Sequence, residues 1–187
     1  MPVRLFHRSH TLNAAQLAAH YPCLITMEQV HRAEIHLVQS PTPQTARGAD
    51  ALISPFPETA LAVRHADCLP IFISHPSGIK AAIHAGRRST QLGILGKVLH
   101  LLQKNWNLHS DLQIYFGPHI CGRCYQIDPV TNQHFDLRAH NLQQLHNLLA
   151  PTQFNLQEHG ACTLEHPDLY SYRQSGKGVA MNWSVLL

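Results

Sequence analysis

The chain reads as an α+β protein: a single domain over residues 1–187 with mixed, largely antiparallel sheets and about three main helices. Three observations carry that expectation. LPIFIS (69–74) and IKAAIH (79–84) are apolar runs of equal length flanking His75-Pro76-Ser77-Gly78, the pattern of an antiparallel hairpin. Leu92, Leu95, Leu99, Leu102 and Trp106 recur at steps of three and four, the spacing of one helix face. Strand-like runs interleave with the helices and some pair as hairpins, which fits a mixed sheet better than the parallel order of a doubly wound fold.

PVRLFH (2–7) is strand-like, and Thr11 or Asn13 can cap a short helix that runs to about His20 before Tyr21-Pro22. CLITMEQVHRAEIHLVQ (23–39) alternates well enough after Gln29 to be a strand, which puts His31 inside a sheet. SPTPQTARGAD (40–50) is a turn-rich loop, ALIS (51–54) a short strand, and PFPE (55–58) a turn before the strand around ALAVR (60–64). In the hairpin that follows, a four-residue loop pairs Ser74 with Ile79 and Leu69 with His84. That register places Cys68 on the face opposite His84, and one bulge near Pro70 would reunite them.

Ser89 or Thr90 then caps a helix reaching about Trp106, with Leu92 in its core stripe. Its first turn, with Arg88 beside unpaired N–H groups, reads as an anion site. LQIYFGP (112–118) is a further strand, CGRCYQI (121–127) a loop and strand start, HFDLRAHNLQQLHNLLA (134–150) mostly helix, and GKGVAMNWSVL (176–186) strand again.

Composition narrows the function. Charged residues make up 13% of the chain, about half the usual share, while the sixteen His are an excess. The net charge of +3 arises from 14 basic and 11 acidic residues without a Lys/Arg run, which argues against a nucleic-acid stripe or a polybasic membrane patch. Small anionic substrates fit that balance. An odd count of five Cys and an N-terminus without a signal-peptide pattern imply a reducing, cytoplasmic setting, and no apolar run approaches the ~20 residues of a membrane span.

The densest chemistry lies in residues 60–89, which hold Cys68, three His and three Arg. Opposed residues at the open end of the hairpin have Cβ atoms roughly 5 Å apart, so a thiolate and an imidazole there can share a metal or a proton. By residue type alone Cys68 is more often a buried small side chain, and His84 a satisfied core histidine. Spacing does not select His31, Cys68 and His84 from sixteen His and five Cys. The C-x-x-C at Cys121 and Cys124 shows neither a helix start nor a second ligand pair in the sequence, so ordinary loop packing is its expected role.

The blocks R-x-ADCLP (64–70) and IHAGRRS (83–89) resemble the multicopper-polyphenol-oxidase-like family, also described as purine nucleoside phosphorylases or peptidoglycan-editing factors, whose members show TADCLP and HAGWRG. Further matches run in order: Gln29-Val30-His31, GADALIS (48–54), GPHICGRCYQI (117–127), FDLRAHNLQQL (135–145), Cys162-Thr163 and Ser171-Tyr172-Arg173. The resemblance covers roughly residues 29–180 and leaves 1–28 as a divergent, shortened N-terminal part, whose shrinkage would remove a wall of the substrate pocket.

The resemblance implies that His31, Cys68 and His84 bind one zinc, with copper as the alternative. Two imidazoles and one thiolate suit either metal, and three protein ligands leave a fourth position for water or substrate. It further implies a zinc-dependent purine nucleoside phosphorylase with adenosine deaminase-like activity. Cys68, His84 and Arg88 would be its catalytic residues, a nucleoside and phosphate its substrates, and a monomer its working form. Two alternatives stand beside it: a metal-free hydrolase or deamidase in which His84 activates Cys68, and a non-catalytic regulatory paralogue. The second draws on the shortened N-terminal part and on the altered HAGWRG block, where Arg87 stands in place of the tryptophan and Ser89 of the final glycine; His65 likewise replaces the threonine before ADC.

Overall fold

Alternate residues of the run 69–74 enter two different cores: Leu69, Ile71 and Ile73 pack beneath helices, whereas Phe72 packs against a second sheet. That period-two division produces a layered α+β domain, as the sequence predicts. The computed structural model describes residues 1–10 and 12–187. Along the chain, β1 (Val3–Phe6), α1 (Ala14–His20), β2 (Leu24–Met27), β3 (Ile35–Leu37), β4 (Gln44–Ala46), β5 (Ala51–Ser54), β6 (Ala60–His65), β7 (Leu69–Ser74) and β8 (Lys80–Ala85) precede α2 (Arg87–Gln91) and α3 (Ile94–Trp106). They are followed by β9 (Leu112–Phe116), β10 (Gln126–Asp128), β11 (Gln133–His134), α4 (Leu137–Leu148), β12 (Phe154–Glu158), α5 (Tyr172–Ser175) and β13 (Asn182–Leu186).

One sheet has the order β1-β13-β6-β2-β4 and the other β12-β9-β7-β8-β5-β3, while β10 and β11 form a separate ribbon. Parallel and antiparallel pairs occur in both large sheets. Ile25, Leu61, Val63 and Leu186 from the first sheet meet Leu52, Phe72 and Ala82 from the second. Leu95, Val98, Leu99 and Leu102 of α3, with Leu137 and Leu145 of α4, cover the far face of the second sheet. Leu17 of α1 covers the far face of the first, over Ala60, Ala62, Trp183 and Val185. Asn13 caps α1 through a reciprocal pair with Gln16, both bonds at 2.9 Å, an arrangement typically worth about 1 kcal/mol. Thr11, the other expected cap, lies outside the described residues.

Four expectations are corrected. Strand structure in 23–39 lies before Gln29, in β2, and resumes at β3, so His31 sits in a loop rather than in a sheet. Its backbone explains this, because Gln29 (φ 62°) and His31 (φ 58°) are left-handed and cannot continue a ladder. The hairpin loop has five residues, 75–79, closed by the His75 N–H on the Ile79 carbonyl at 3.0 Å. Ser74 therefore pairs with Lys80 and Pro70 with His84, and Cys68 shares the His84 face without a bulge at Pro70.

The helix expected over 89–106 is two helices. Gly86 is its N-cap, and Ser89 and Thr90 lie buried inside α2; left-handed Gly93 (φ 77°) breaks the rod before α3 and leaves Leu92 53% exposed. The anion site expected at its start loses its helical basis, since α2 is a single turn too short for a substantial dipole. The polar run FNLQE forms β12 through its parallel pairing with β9 at the sheet edge, which supplies what its composition does not.

Candidate metal centre

The inter-sheet face of β7 and β8 ends in Pro70 and His84, and Cys68 continues that face one pleat further. The loop between β2 and β3 brings His31 over the same point. It is held there by the Gln29 amide, which donates to the Arg64 carbonyl at 2.6 Å and accepts from the Arg64 N–H at 2.9 Å. The nitrogen and sulfur donor atoms of His31, Cys68 and His84 all lie within 4.8 Å of one another. Cys68 Sγ is 3.9 Å from His31 Nε2, and the two imidazole rings meet edge to face at 4.7 Å between centroids. Tetrahedral zinc bonds of about 2.0–2.3 Å place such donors roughly 3.3–3.7 Å apart, so a contraction of at most about 1.5 Å fits an ion.

Asp50 organises two of the three. Its carboxylate is fully buried, accepts from His84 Nδ1 at 3.1 Å, and accepts the backbone N–H groups of His31 and Arg32 at 2.8 and 2.6 Å. With the proton on Nδ1, the Nε2 lone pair of His84 is left for a ligand, the carboxylate–histidine arrangement of many metal sites. Gly86 supplies room: a Cβ there would stand 3.1 Å from both Cys68 Sγ and His31 Cδ2.

Cys68 follows Asp67, whose φ of 98° disfavours any side chain by about 1 kcal/mol or more. Three hydrogen bonds offset that strain. The Thr163 hydroxyl and the Arg173 N–H donate to the Asp67 carboxylate, each at 2.7 Å, and the Ile120 N–H donates to its carbonyl at 2.9 Å.

Burial opposes the Cys68 thiolate, yet the His84 cation together with hydrogen bonds from His31 and His84 outweighs it, bringing the thiol down to about 6. Burial likewise opposes the His84 cation, while the Cys68 thiolate and Asp50 carboxylate raise it to about 9. The pair therefore favours thiolate, the form that ligates metal or attacks an electrophile.

The three side chains line a cavity of about 1000 Å³ shared with Arg64, Arg87, Arg88, Tyr125, Tyr172 and Arg173. The guanidinium of Arg64 donates to the Glu28 carbonyl at 2.9 Å, and that of Arg173 donates to the Gln126 carbonyl and lies 5.6 Å from the Tyr125 ring centroid. Arg87 and Arg88 form no salt bridge with an acidic side chain among the described residues. His65 is not a fourth ligand: it is fully buried, with Nε2 2.9 Å from Ser184 Oγ. His119 donates from Nδ1 to the Gly117 carbonyl at 2.9 Å, a packing role.

Asp50, Gln29 and Gly86 are the site residues that residue-type reasoning passed over. Asp50 had one signal, its place just before β5, whose Ala51 pairs with Ile83 beside His84.

Fold and site together define an α+β protein with a two-histidine, one-cysteine centre of metal-binding type at the end of a two-sheet stack. Residues 6–136 match the family described as multi-copper polyphenol oxidoreductase laccase, and the chain belongs to that family. A Mycobacterium tuberculosis protein named purine nucleoside phosphorylase is 28% identical over 182 residues, spanning 86% of this chain and 72% of that protein. A Campylobacter jejuni protein of the same name is 29% identical over 166 residues, 80% of this chain and 71% of its own. The fold is shared with the crystal structure of YlmD from Geobacillus stearothermophilus, with TM-score 0.80 and 24% identity over 95% of this chain and 80% of that one. No helix among the described residues is long and apolar enough to cross a membrane.

Proposed function

We propose that the chain is a zinc-dependent purine nucleoside phosphorylase that also deaminates adenosine. The observation carrying this reading is the convergence of His31, Cys68 and His84 at the wall of a cavity that also presents Arg64, Arg87 and Arg88. The cavity, about 1000 Å³, takes a nucleoside together with a phosphate ion. The names carried by relatives at 28–29% identity point the same way.

In phosphorolysis a phosphate oxygen bonds to the anomeric carbon of the ribose while the bond from that carbon to the purine nitrogen breaks, and the purine leaves with the bonding pair. A zinc ion on the three ligands would supply Lewis-acid stabilisation of oxygen-centred negative charge. Arg87 and Arg88, free of carboxylate partners among the described residues, would hold the phosphate against the sugar, and Arg64 adds positive potential on the same wall. Tyr125 and Tyr172 offer ring faces to the purine. In deamination water replaces the amino group of adenine and ammonia leaves, a reaction with no use for the phosphate-binding arginines. The proposed working form is a monomer.

The test is a nucleoside turnover screen on tag-free protein of measured metal content, with and without phosphate. Purine release that requires both phosphate and one zinc per His31–Cys68–His84 site is the expected outcome. Turnover that persists after chelation and is abolished by Cys68 alkylation would instead establish the metal-free cysteine mechanism.

A further inference from the structure

Cys121, Cys124, Cys162 and Glu165 lie together although 41 residues of chain separate Cys121 from Cys162, and their four donor atoms all fall within 4.8 Å of one another. None of them belongs to the cavity described above. We propose that these four side chains are a second, structural metal site that takes zinc in a closed tetrahedral shell.

Two matching turns build it. In Cys121-Gly122-Arg123-Cys124 the Cys121 carbonyl accepts the N–H groups of Cys124 and Tyr125, both at 3.0 Å. In Cys162-Thr163-Leu164-Glu165 the Cys162 carbonyl accepts the N–H groups of Glu165 and His166 at 3.2 and 2.9 Å. Each turn thus presents its first and fourth side chains on one side, the geometry by which paired C-x-x-C knuckles hold zinc. A parallel bridge between His119 and Cys162 sets the turns side by side, fixed by the Thr163 N–H on the His119 carbonyl at 3.0 Å. The Cys121 N–H donates to Cys162 Sγ at 3.3 Å, as amides do to zinc-bound thiolates, which steadies negative charge on the sulfur.

The donor set suits the ion. Zinc–sulfur bonds near 2.3 Å put tetrahedral donors about 3.7–3.8 Å apart, within reach of the observed cluster. Cys124 Sγ already lies 3.5 Å from Glu165 Oε1. Three thiolates and a carboxylate give a set of charge −4, which the dication and Arg123, 2.7 Å from Glu165 Oε1, reduce to −1. Four protein ligands leave no open position, so the site is structural. Its place in the fold gives it something to hold: Ile120 and Thr163, each adjacent to a ligand, are two of the three residues that fix Asp67 ahead of Cys68. Either site exists without the other, so the proposal does not rest on the function argued above.

The test counts zinc in the full chain, kept reduced and dialysed against a weak chelator to strip the histidine-rich surface. Two equivalents are expected in the wild-type protein, one in Cys68→Ala, and one in Cys121→Ser/Cys162→Ser. Should that double variant not fold, cobalt substitution of Cys68→Ala decides the matter, because that variant retains thiolates only around the second site and Cys23. Intense thiolate-to-cobalt charge-transfer absorption is expected there, and Glu165→Cys should intensify it. Cys68→Ala without bound zinc, cobalt spectra without thiolate bands in that variant, or a disulfide among Cys121, Cys124 and Cys162 in freshly reduced and desalted protein would each overturn the assignment.

Discussion

Asp50 and His84 are joined by a 3.1 Å contact between a fully buried carboxylate and a nearly buried imidazole, and the same carboxylate oxygen accepts the N–H of His31. One acidic side chain therefore orients two candidate ligands that lie 53 residues apart in the sequence. Asp50→Asn keeps an acceptor for the His31 N–H but cannot present two oxygens to His84 and Arg32 at once. Zinc affinity measured by competition with a chromophoric chelator should fall about ten- to a hundredfold. Affinity within twofold of wild type would show that the imidazole is oriented by packing alone.

Gly86 separates site geometry from fold stability. Its φ is −78°, which any residue adopts, so Gly86→Ala meets no backbone strain and only the 3.1 Å contacts with Cys68 and His31. The variant should keep its melting temperature in the metal-free form while losing zinc affinity. Equal affinity would mean that the His31 loop yields freely.

Arg88 is exposed on α2 and faces the cavity. Losing a charge-assisted hydrogen bond of about 1.5–3 kcal/mol predicts a ten- to hundredfold drop in phosphorolysis for Arg88→Ala, with zinc content unchanged. Deamination should suffer less. Equal loss of both activities would assign Arg88 to the nucleoside instead, and loss of neither would remove it from the site.

Burial, followed by the neighbouring His84, His119 and His159, lowers His65 from 6.5 to about 3. The folded state holds this imidazole neutral, so between those values the unfolded chain binds the extra proton. Stability is then full above pH 6.5 and declines on acidification towards pH 3, by roughly 3–5 kcal/mol from this group. His65→Gln, which can keep the bond to Ser184, should flatten that decline in denaturant melts across pH 4–7. Some slope will persist because burial also lowers His119. Superimposable pH profiles for variant and wild type would refute the assignment.

Pattern reasoning reached the strands of the hairpin, α4 and β9 because each is a long run whose period is undisturbed by special backbone angles, whereas of the run 176–186 only Asn182–Leu186 is strand, since Gly176 (φ 72°) and Gly178 (φ 84°) are left-handed. It failed where single residues adopt unusual conformations for tertiary reasons. Nothing in Gln29 or His31 announces a left-handed backbone; the Asp50 carboxylate and the Arg64 main chain impose it from elsewhere in the sequence. Gly93 did carry a signal, but the leucine stripe on either side of it reads as one helix. The resemblance to the family named His31, Cys68 and His84 as candidate ligands, whereas Asp50, which orients the two histidines, could be recognised only once β5 lay beside β8. The partners of Cys121 and Cys124 were hidden for the same reason, with Cys162 lying 41 positions beyond Cys121.

Cys68 and His84 meet only because five residues, and not four, turn the hairpin at its opposite end. Six residues of strand separate that tip from the site, about 20 Å. Exposed tips are ordinarily where a lineage gains and loses residues at little harm. Here the tip works as a parity counter: dropping one residue carries the paired strand half a pleat out of phase and turns the Cys68 face away from His84. Lys80 guards the count, its buried ammonium held by the carbonyls of Pro57 and Thr59 at 2.7 and 2.6 Å. Drift at this turn is thus tighter in number than in kind, and a descendant could retain all three ligands in its sequence yet have lost the centre through one deletion far from it.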